Sequence, residues 1–195
     1  MTPMIKICGI NDLESIHVAI HAGADAIGFV FYEHSPRNLT LDKAIRLAAH
    51  VPNNVIKVAV MLHPSEAHWE DVQKSFRPDV LQTDVEDFSY LKVEAGIEKW
   101  PVLREGSVLE CCPEKFVYEG KASGQGKVVD WQIAGELAQR GQMILAGGLS
   151  ATNVREAIQL VSPFGVDVSS AVESRPGIKD VKKIRAFIAE VKAVQ

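Results

Sequence analysis

Lys6 and Cys8 stand two residues apart in a short apolar run, IKIC over 5–8, and Gly9 follows at once. A thiol acts as a base or nucleophile through its thiolate, and with an ordinary pKa of about 8.5 it is mostly protonated near pH 7. If the run is a strand, alternate side chains share a face, so Lys6 and Cys8 point the same way and the lysine charge favours the thiolate. The competing use of such a cysteine is as a small buried hydrophobe. A strand's carboxyl end, with Gly9 leaving backbone room, favours chemistry.

Two later stretches suit an anion. LAGGLSATN over 145–153 ends an apolar run in Gly147 and Gly148 just before a helix-like segment. GVDVSSAVE over 165–173 ends the next run in Ser169 and Ser170, with Asp167 and Ser169 on one face and Val166 and Val168 on the other. Glycines let a ligand approach the backbone, and amides at a helix start bind anions. Glu119 closes the run KFVYE over 115–119 as Cys8 closes the first, and it shares the face of Val117. It is a carboxyl group placed to give or take a proton.

Other candidates carry less. GKASGQGKVVD over 120–130 departs from the GxxxxGK[ST] nucleotide loop: Gly120 to Gly126 is one residue too long and Val128 follows Lys127. It reads as a mobile loop that closes over a substrate. Asp130 reads as a helix cap. His17 and His21 lie four apart on a helix with no third ligand in sight, so no metal is expected. Cys111 and Cys112 read as structural residues in a loop before Pro113.

The elements that must position these residues alternate along the chain. Apolar runs fall at 5–8, 25–31, 54–62, 79–83, 100–105, 115–119, 143–148 and 165–170. Between them lie helix-like segments at 12–23, 41–51, 65–76, 130–141, 150–161 and 180–194. Asp12, Asp130 and Ser150 can cap helix starts, and Gly23 and Gly141 can end helices. The segments after runs four and five are weaker: 87–96 can form a short helix and 107–114 a single turn. Strict alternation implies a parallel sheet. Eight units close most simply into a compact (β/α)8 TIM barrel, one domain over 1–195, with the helix after strand five reduced. An open doubly wound sheet is disfavoured because the first turn, CGINDLES, has no GxGxxG. In the barrel Lys6, Cys8, Val117, Glu119, Asp167 and Ser169 face inward. The phosphate expected between the loops after strands seven and eight falls on Gly147, Gly148, Ser169 and Ser170.

The totals exclude several classes. The chain has 195 residues and a formal charge of −4, which gives no global attraction for nucleic acid or an anionic membrane. An odd three cysteines, two of them adjacent, draw no disulfide framework, so a reducing, cytoplasmic setting is expected. Met4 to Ile10 is too short for a signal peptide, and no apolar run nears the roughly 18 residues of a membrane span.

KICGI, GADAIGFVFYEHSPR (23–37), LAGGLSATNV (145–154) and VDVSSAVESRPGIKD (166–180) together resemble phosphoribosylanthranilate isomerase, in the same order from residue 5 to about 190. The resemblance implies an Amadori rearrangement of N-(5-phosphoribosyl)anthranilate by general acid–base catalysis, in tryptophan biosynthesis. It makes Cys8 the base and Arg37 the grip on the anthranilate carboxylate, and it leaves the phosphate to the motifs after strands seven and eight. No cofactor is implied, because the substrate's own nitrogen is the electron sink. The partners implied are a small phosphorylated substrate and, for the protein itself, a monomer or weak homodimer. The family's run at the end of strand six commonly carries aspartate, where this chain has Glu119. LQTD over 81–84 replaces the family's run after strand four, so Gln82 and Asp84 are left outside the predicted site. The other readings are a related phosphosugar isomerase with histidine-pathway activity, which Cys8 and Arg37 argue against, and a phosphate-binding barrel without catalysis.

Overall fold

A computed structural model describes residues 2–107, 112–121 and 128–194. Its eight parallel strands follow the predicted runs: β1 (Met4–Cys8), β2 (Ala26–Val30), β3 (Ile56–Val60), β4 (Val80–Asp84), β5 (Glu98–Arg104), β6 (Lys115–Glu119), β7 (Gln142–Leu145) and β8 (Gly165–Val168). They close in sequence order, with β8 hydrogen-bonded back to β1. The chain is a (β/α)8 barrel. Helices α1 (Leu13–Ala22), α2 (Leu41–Ala48), α3 (Glu66–Ser75), α4 (Trp131–Ala138), α5 (Val154–Val161) and α6 (Val181–Lys192) lie in the connections after β1, β2, β3, β6, β7 and β8. Among the described residues no helix is long and apolar enough to cross a membrane.

Local chemistry sets the helix ends. The Asp12 carboxylate accepts the Ser15 amide at 2.8 Å, and Gly23 ends α1 in the left-handed region at φ 104°. Asp180 accepts the amides of Lys182 and Lys183 at the start of α6. That helix then buries Ile184, Phe187, Ile188 and Val191.

Period two divides the core into two layers. Ile5, Ile7, Phe29, Leu81, Phe116, Leu145, Val166 and Val168 point outward and pack against the helices. Ala26, Val58, Val80, Trp100, Val102, Val117 and Ile144 point inward and fill the barrel. With Val117 inside, Glu119 two residues on is inside as well. The same register puts Lys6 beside Asp167 across the β1–β8 seam. Beyond the apolar plug, Cys8, Asp84, Arg104, Glu119 and Asp167 stand at or near the carboxyl ends of β1, β4, β5, β6 and β8, the face on which barrel enzymes do chemistry.

Four expectations change. After β4 the chain forms a 3₁₀ helix at Val85–Ser89, not a helix over 87–96. Helix α5 starts at Val154, not at Ser150. The Ser150 hydroxyl accepts the Thr152 amide, and the Asn153 side chain ties Ser150 N to Gly148 O, so local side-chain bonds hold a turn there instead. The eighth strand stops at Val168, and a 3₁₀ turn at Ser170–Val172 carries the second serine. A hairpin the sequence did not disclose, β9 (Glu173–Arg175) and β10 (Ile178–Lys179), precedes α6. In the fifth connection Glu105–Ser107 and Cys112–Glu114 are not helical, and 108–111, with Cys111, lie outside the described residues.

Candidate active site

Cys8 ends β1 and is 7% exposed. Gly28 on β2 makes room for it: a Cβ at position 28 would lie 2.9 Å from the Cys8 Sγ. Lys6, fully buried below, donates from Nζ to Asp167 Oδ2 at 2.8 Å. Burial pushes the Cys8 thiol pKa up. Lys6 and Lys179 pull it down, and Asp167 opposes them, so the net shift is upward. Lys6 does favour the thiolate, as its spacing implied, but burial outweighs it and Asp167 offsets part of its effect. For Lys6 itself burial works against the charged form, yet the Asp167 and Cys8 contributions outweigh it and raise its pKa. The second oxygen of that carboxylate, Asp167 Oδ1, is buried and has no hydrogen-bond partner among the described residues.

Gly9 explains how Arg37 reaches the mouth. Its φ is 73°, and a Cβ there would lie 2.5 Å from Arg37 Cδ. The Arg37 side chain therefore crosses directly over the end of β1. Its Nε and Nη2 donate to Glu173 Oε1 and Oε2 at 2.7 and 2.9 Å. Glu173 also accepts from Lys179 Nζ at 2.9 Å and from the Gly177 amide at 3.2 Å. Burial raises its pKa, but hydrogen bonds and charge from Arg37 and Lys179 hold the carboxyl below its ordinary value. Lys179 Nζ donates to Ser169 O at 2.9 Å, and Ser169 Oγ donates to Cys8 O at 3.1 Å. One buried chain of hydrogen bonds thus runs from Arg37 to the backbone of Cys8. Arg37 already grips one carboxylate of its own chain, and Nη1 makes no hydrogen bond among the described residues.

Glu119 ends β6 inside the barrel mouth, and Arg104 Nη1 donates to its Oε2 at 3.1 Å. Arg104 also donates to Asp84 at the end of β4, from Nη2 at 2.5 Å and from Nε at 3.1 Å. Asp130 is a helix cap, as the sequence suggests. Asp130 is exposed and accepts the amides of Gln132 and Ile133 at the start of α4. Residues 122–127 of the predicted closing loop lie outside the described residues.

Gly147 and Gly148 turn the chain after β7 at φ 82° and 66°. Their amides, and that of Ser170, donate to no protein acceptor among the described residues. Ser169 is tied to Cys8 as described. The structure thus brings Cys8, Asp167, Ser169, Ser170, Gly147, Gly148, Arg37 and Glu119 to one end of the barrel. It adds Glu173, Lys179, Arg104 and Asp84, which sequence reasoning left out. The available signal for Glu173 and Lys179 was their place on either side of a Pro-Gly turn, Pro176–Gly177, which makes them hairpin neighbours.

A closed (β/α)8 barrel with a thiol, a carboxyl group and open amides at the carboxyl ends of its strands belongs to the barrel enzymes that act on small anionic substrates. The family model described as N-(5'-phosphoribosyl)anthranilate isomerase matches residues 5–190, and the chain belongs to that family. An N-(5'-phosphoribosyl)anthranilate isomerase of Thiobacillus denitrificans is 38% identical over 206 residues, covering 99% of this chain and all of the relative. One from Geobacter metallireducens is 37% identical over 97% of this chain and 98% of its own. The crystal structure of the Thermotoga maritima phosphoribosyl anthranilate isomerase superposes with a TM-score of 0.85 at 30% identity, covering 97% of this chain and 98% of that one. A phosphoribosyl anthranilate isomerase in complex with reduced 1-(o-carboxyphenylamino)-1-deoxyribulose 5-phosphate gives 0.82 at 30% identity, with the same coverage.

Proposed function

We propose that this chain catalyses the Amadori rearrangement of N-(5'-phosphoribosyl)anthranilate to 1-(2-carboxyphenylamino)-1-deoxyribulose 5-phosphate, the tryptophan-pathway isomerisation, with Cys8 and Glu119 as base and acid. The observation that carries the residue roles is the placing of Cys8 and Glu119, both inward, at the carboxyl ends of β1 and β6. Glu119 protonates the furanose ring oxygen and the ring opens to an imine. The Cys8 thiolate removes the C2 proton, and the resulting enolamine tautomerises to the product. The imine nitrogen accepts the electron pair, so these steps call for no cofactor. Arg37, held by Glu173 along its Nε–Nη2 edge, offers Nη1 to the anthranilate carboxylate. The amides at Gly147, Gly148 and Ser170 receive the phosphate, with Ser169 shaping the turn, and Asp167 Oδ1 accepts a sugar hydroxyl. The proposed setting is a reducing cytoplasm, in keeping with a free thiol at Cys8. The proposed state is a monomer or weak homodimer. The deciding assay makes the substrate in place from anthranilate and phosphoribosyl pyrophosphate and follows its fluorescence decay. A decay that this protein leaves at the spontaneous rate would reject the reading.

Two binding predictions follow from the same geometry. Inorganic phosphate competes with substrate, and Gly148→Val raises KM strongly, because a side chain at φ 66° is strained and stands where the phosphate meets the backbone. Lack of any inhibition by phosphate would misplace the site. Arg37→Lys keeps the charge but loses the planar fork that Glu173 orients. A hydrogen bond to a charged group is worth about 1.5–3 kcal/mol, so KM rises about 10- to 100-fold with a smaller change in kcat. An unchanged KM in steady-state kinetics would remove Arg37 from carboxylate recognition.

A further inference from the structure

Glu173 serves two cations. Arg37 donates to it from Nε at 2.7 Å and from Nη2 at 2.9 Å, and Lys179 Nζ donates to Oε1 at 2.9 Å. With the Gly177 amide on Oε2 at 3.2 Å, the four lone-pair positions of the carboxylate are taken. The Lys179 side chain is wholly enclosed, and those of Glu173 and Arg37 are 3% and 11% exposed. The three N–H groups of Lys179 are spent on Glu173, on Ser169 O at 2.9 Å and on Ser169 Oγ at 3.4 Å.

The fold fixes this sharing. Glu173 and Lys179 are register partners in the β9–β10 hairpin. Its turn residue Gly177, at φ 81°, packs so closely on the loop that carries Arg37 that a Cβ there would lie 2.3 Å from Pro36 O. Asn11 Nδ2 donates to Gly177 O at 2.8 Å and ties the same turn to the loop after β1.

The charges do not balance. Two cations face one carboxylate, and among the described residues neither Arg37 nor Lys179 has a second acidic partner. Asp167, the inward carboxylate of β8, is taken by Lys6. Asp180 is turned to the amides at the start of α6. Lys183, which is exposed, brings a hydrogen bond to Glu173 O at 2.7 Å and no negative charge. Burial, joined by the charge of Arg37, pulls the Lys179 pKa down further than Glu173 and Cys8 lift it, as for a cation short of negative charge.

We infer that Lys179 is a positioning residue for carboxylate recognition: it draws on the same carboxylate as Arg37, so Glu173 orients the guanidinium without cancelling its charge, and the pocket holds one positive charge in excess for the anthranilate carboxylate to neutralise. The inference rests on the reading of Arg37 as the grip on that carboxylate. Lys179 acts on the substrate only through Glu173 and the field of its charge. A one-to-one Arg37–Glu173 pair would already be neutral and would gain less from a second carboxylate.

The probes are reduced 1-(o-carboxyphenylamino)-1-deoxyribulose 5-phosphate and its phenylamino analogue, which has the same sugar phosphate and no carboxylate. Calorimetric titration gives a Kd for each, and their ratio isolates the carboxylate. A hydrogen bond to a charged group makes that ratio about 10- to 100-fold in the parent. In Lys179→Met the ratio falls by about tenfold, while loss of the Ser169 bonds weakens both ligands alike. Lys179→Gln, which keeps a neutral donor for Ser169 O, gives the same fall and stands in if the methionine variant does not fold. Adding Glu173→Gln to either removes the remaining negative charge and keeps an acceptor for Arg37, so the ratio climbs back towards the parent's. An unchanged ratio in the single variants, or a low one in the double variant, overturns the inference, and a ratio near one in Arg37→Met then still leaves Arg37 as the grip. A parent that binds neither probe, a parent ratio near one, or a ratio that Arg37→Met leaves intact overturns both.

Discussion

Cys8→Ser loses most of its turnover, about 10²–10⁴-fold, the usual cost of a missing general base, while the fold and substrate affinity stay close to those of the parent. A serine hydroxyl fits the space that Gly28 opens beside position 8 and leaves the Ser169 bond to the backbone carbonyl untouched. What it lacks is acidity: a hydroxyl supplies almost no alkoxide near pH 7. The wild-type enzyme has its own handicap, because burial pushes the Cys8 thiol above its ordinary pKa. The sign of the pH dependence follows. As pH rises thiolate forms while Glu119 loses the proton it must donate, so wild-type turnover falls above the raised Cys8 pKa, and this high-pH limb is absent from Cys8→Ser. Steady-state kinetics across pH 6–10 on both proteins checks it. Parental turnover in the serine variant would remove Cys8 from the reaction.

Glu119→Gln has the second large effect. The amide is nearly isosteric and keeps a contact with Arg104, but it cannot protonate the ring oxygen. The lost interaction matters mainly in the transition state, so kcat falls by about 10²–10⁴ while KM changes little. Asp130→Asn is its control. That carboxylate accepts two amides at the start of α4, and an asparagine oxygen accepts them about as well. Both the thermal melt and the kcat of Asp130→Asn therefore stay near wild type. The assignment reverses if Asp130→Asn loses kcat by orders of magnitude and Glu119→Gln does not.

The features that were legible in the sequence are those governed by short-range rules. Period two puts Glu119 on the inward face of Val117, and Asp167 on the face opposite Val166 and Val168. Alternation of strands and helices gave the closed parallel barrel. The features that were hidden depend on contacts distant in sequence. Nothing in FVYE tells that Arg104, fifteen residues earlier, will reach Glu119. Nothing in LQTD tells that Asp84 will meet the other edge of the same guanidinium. Arg37 was singled out through a family resemblance, and its partner Glu173 lies 136 residues away. Ser150 misled for a different reason. Serine is a good cap by type, but Asn153 bonds back to Gly148 and Ser150 and delays the helix to Val154.

The ion pair beneath Cys8 joins residues 161 positions apart, because Lys6 belongs to the first strand and Asp167 to the last. The seam between them forms only when nearly the whole chain has been made. Until then β1 and the newest strand present unpaired edges, and an open sheet of that kind is prone to pair with another chain. Bringing distant ends together also spends chain entropy before any contact returns it, which makes such a closure slow. A ribosome-bound or half-refolded barrel therefore lacks the setting for its thiol even if every earlier βα unit is in place. The reactive centre assembles last, and a working thiol reports that the cylinder has closed.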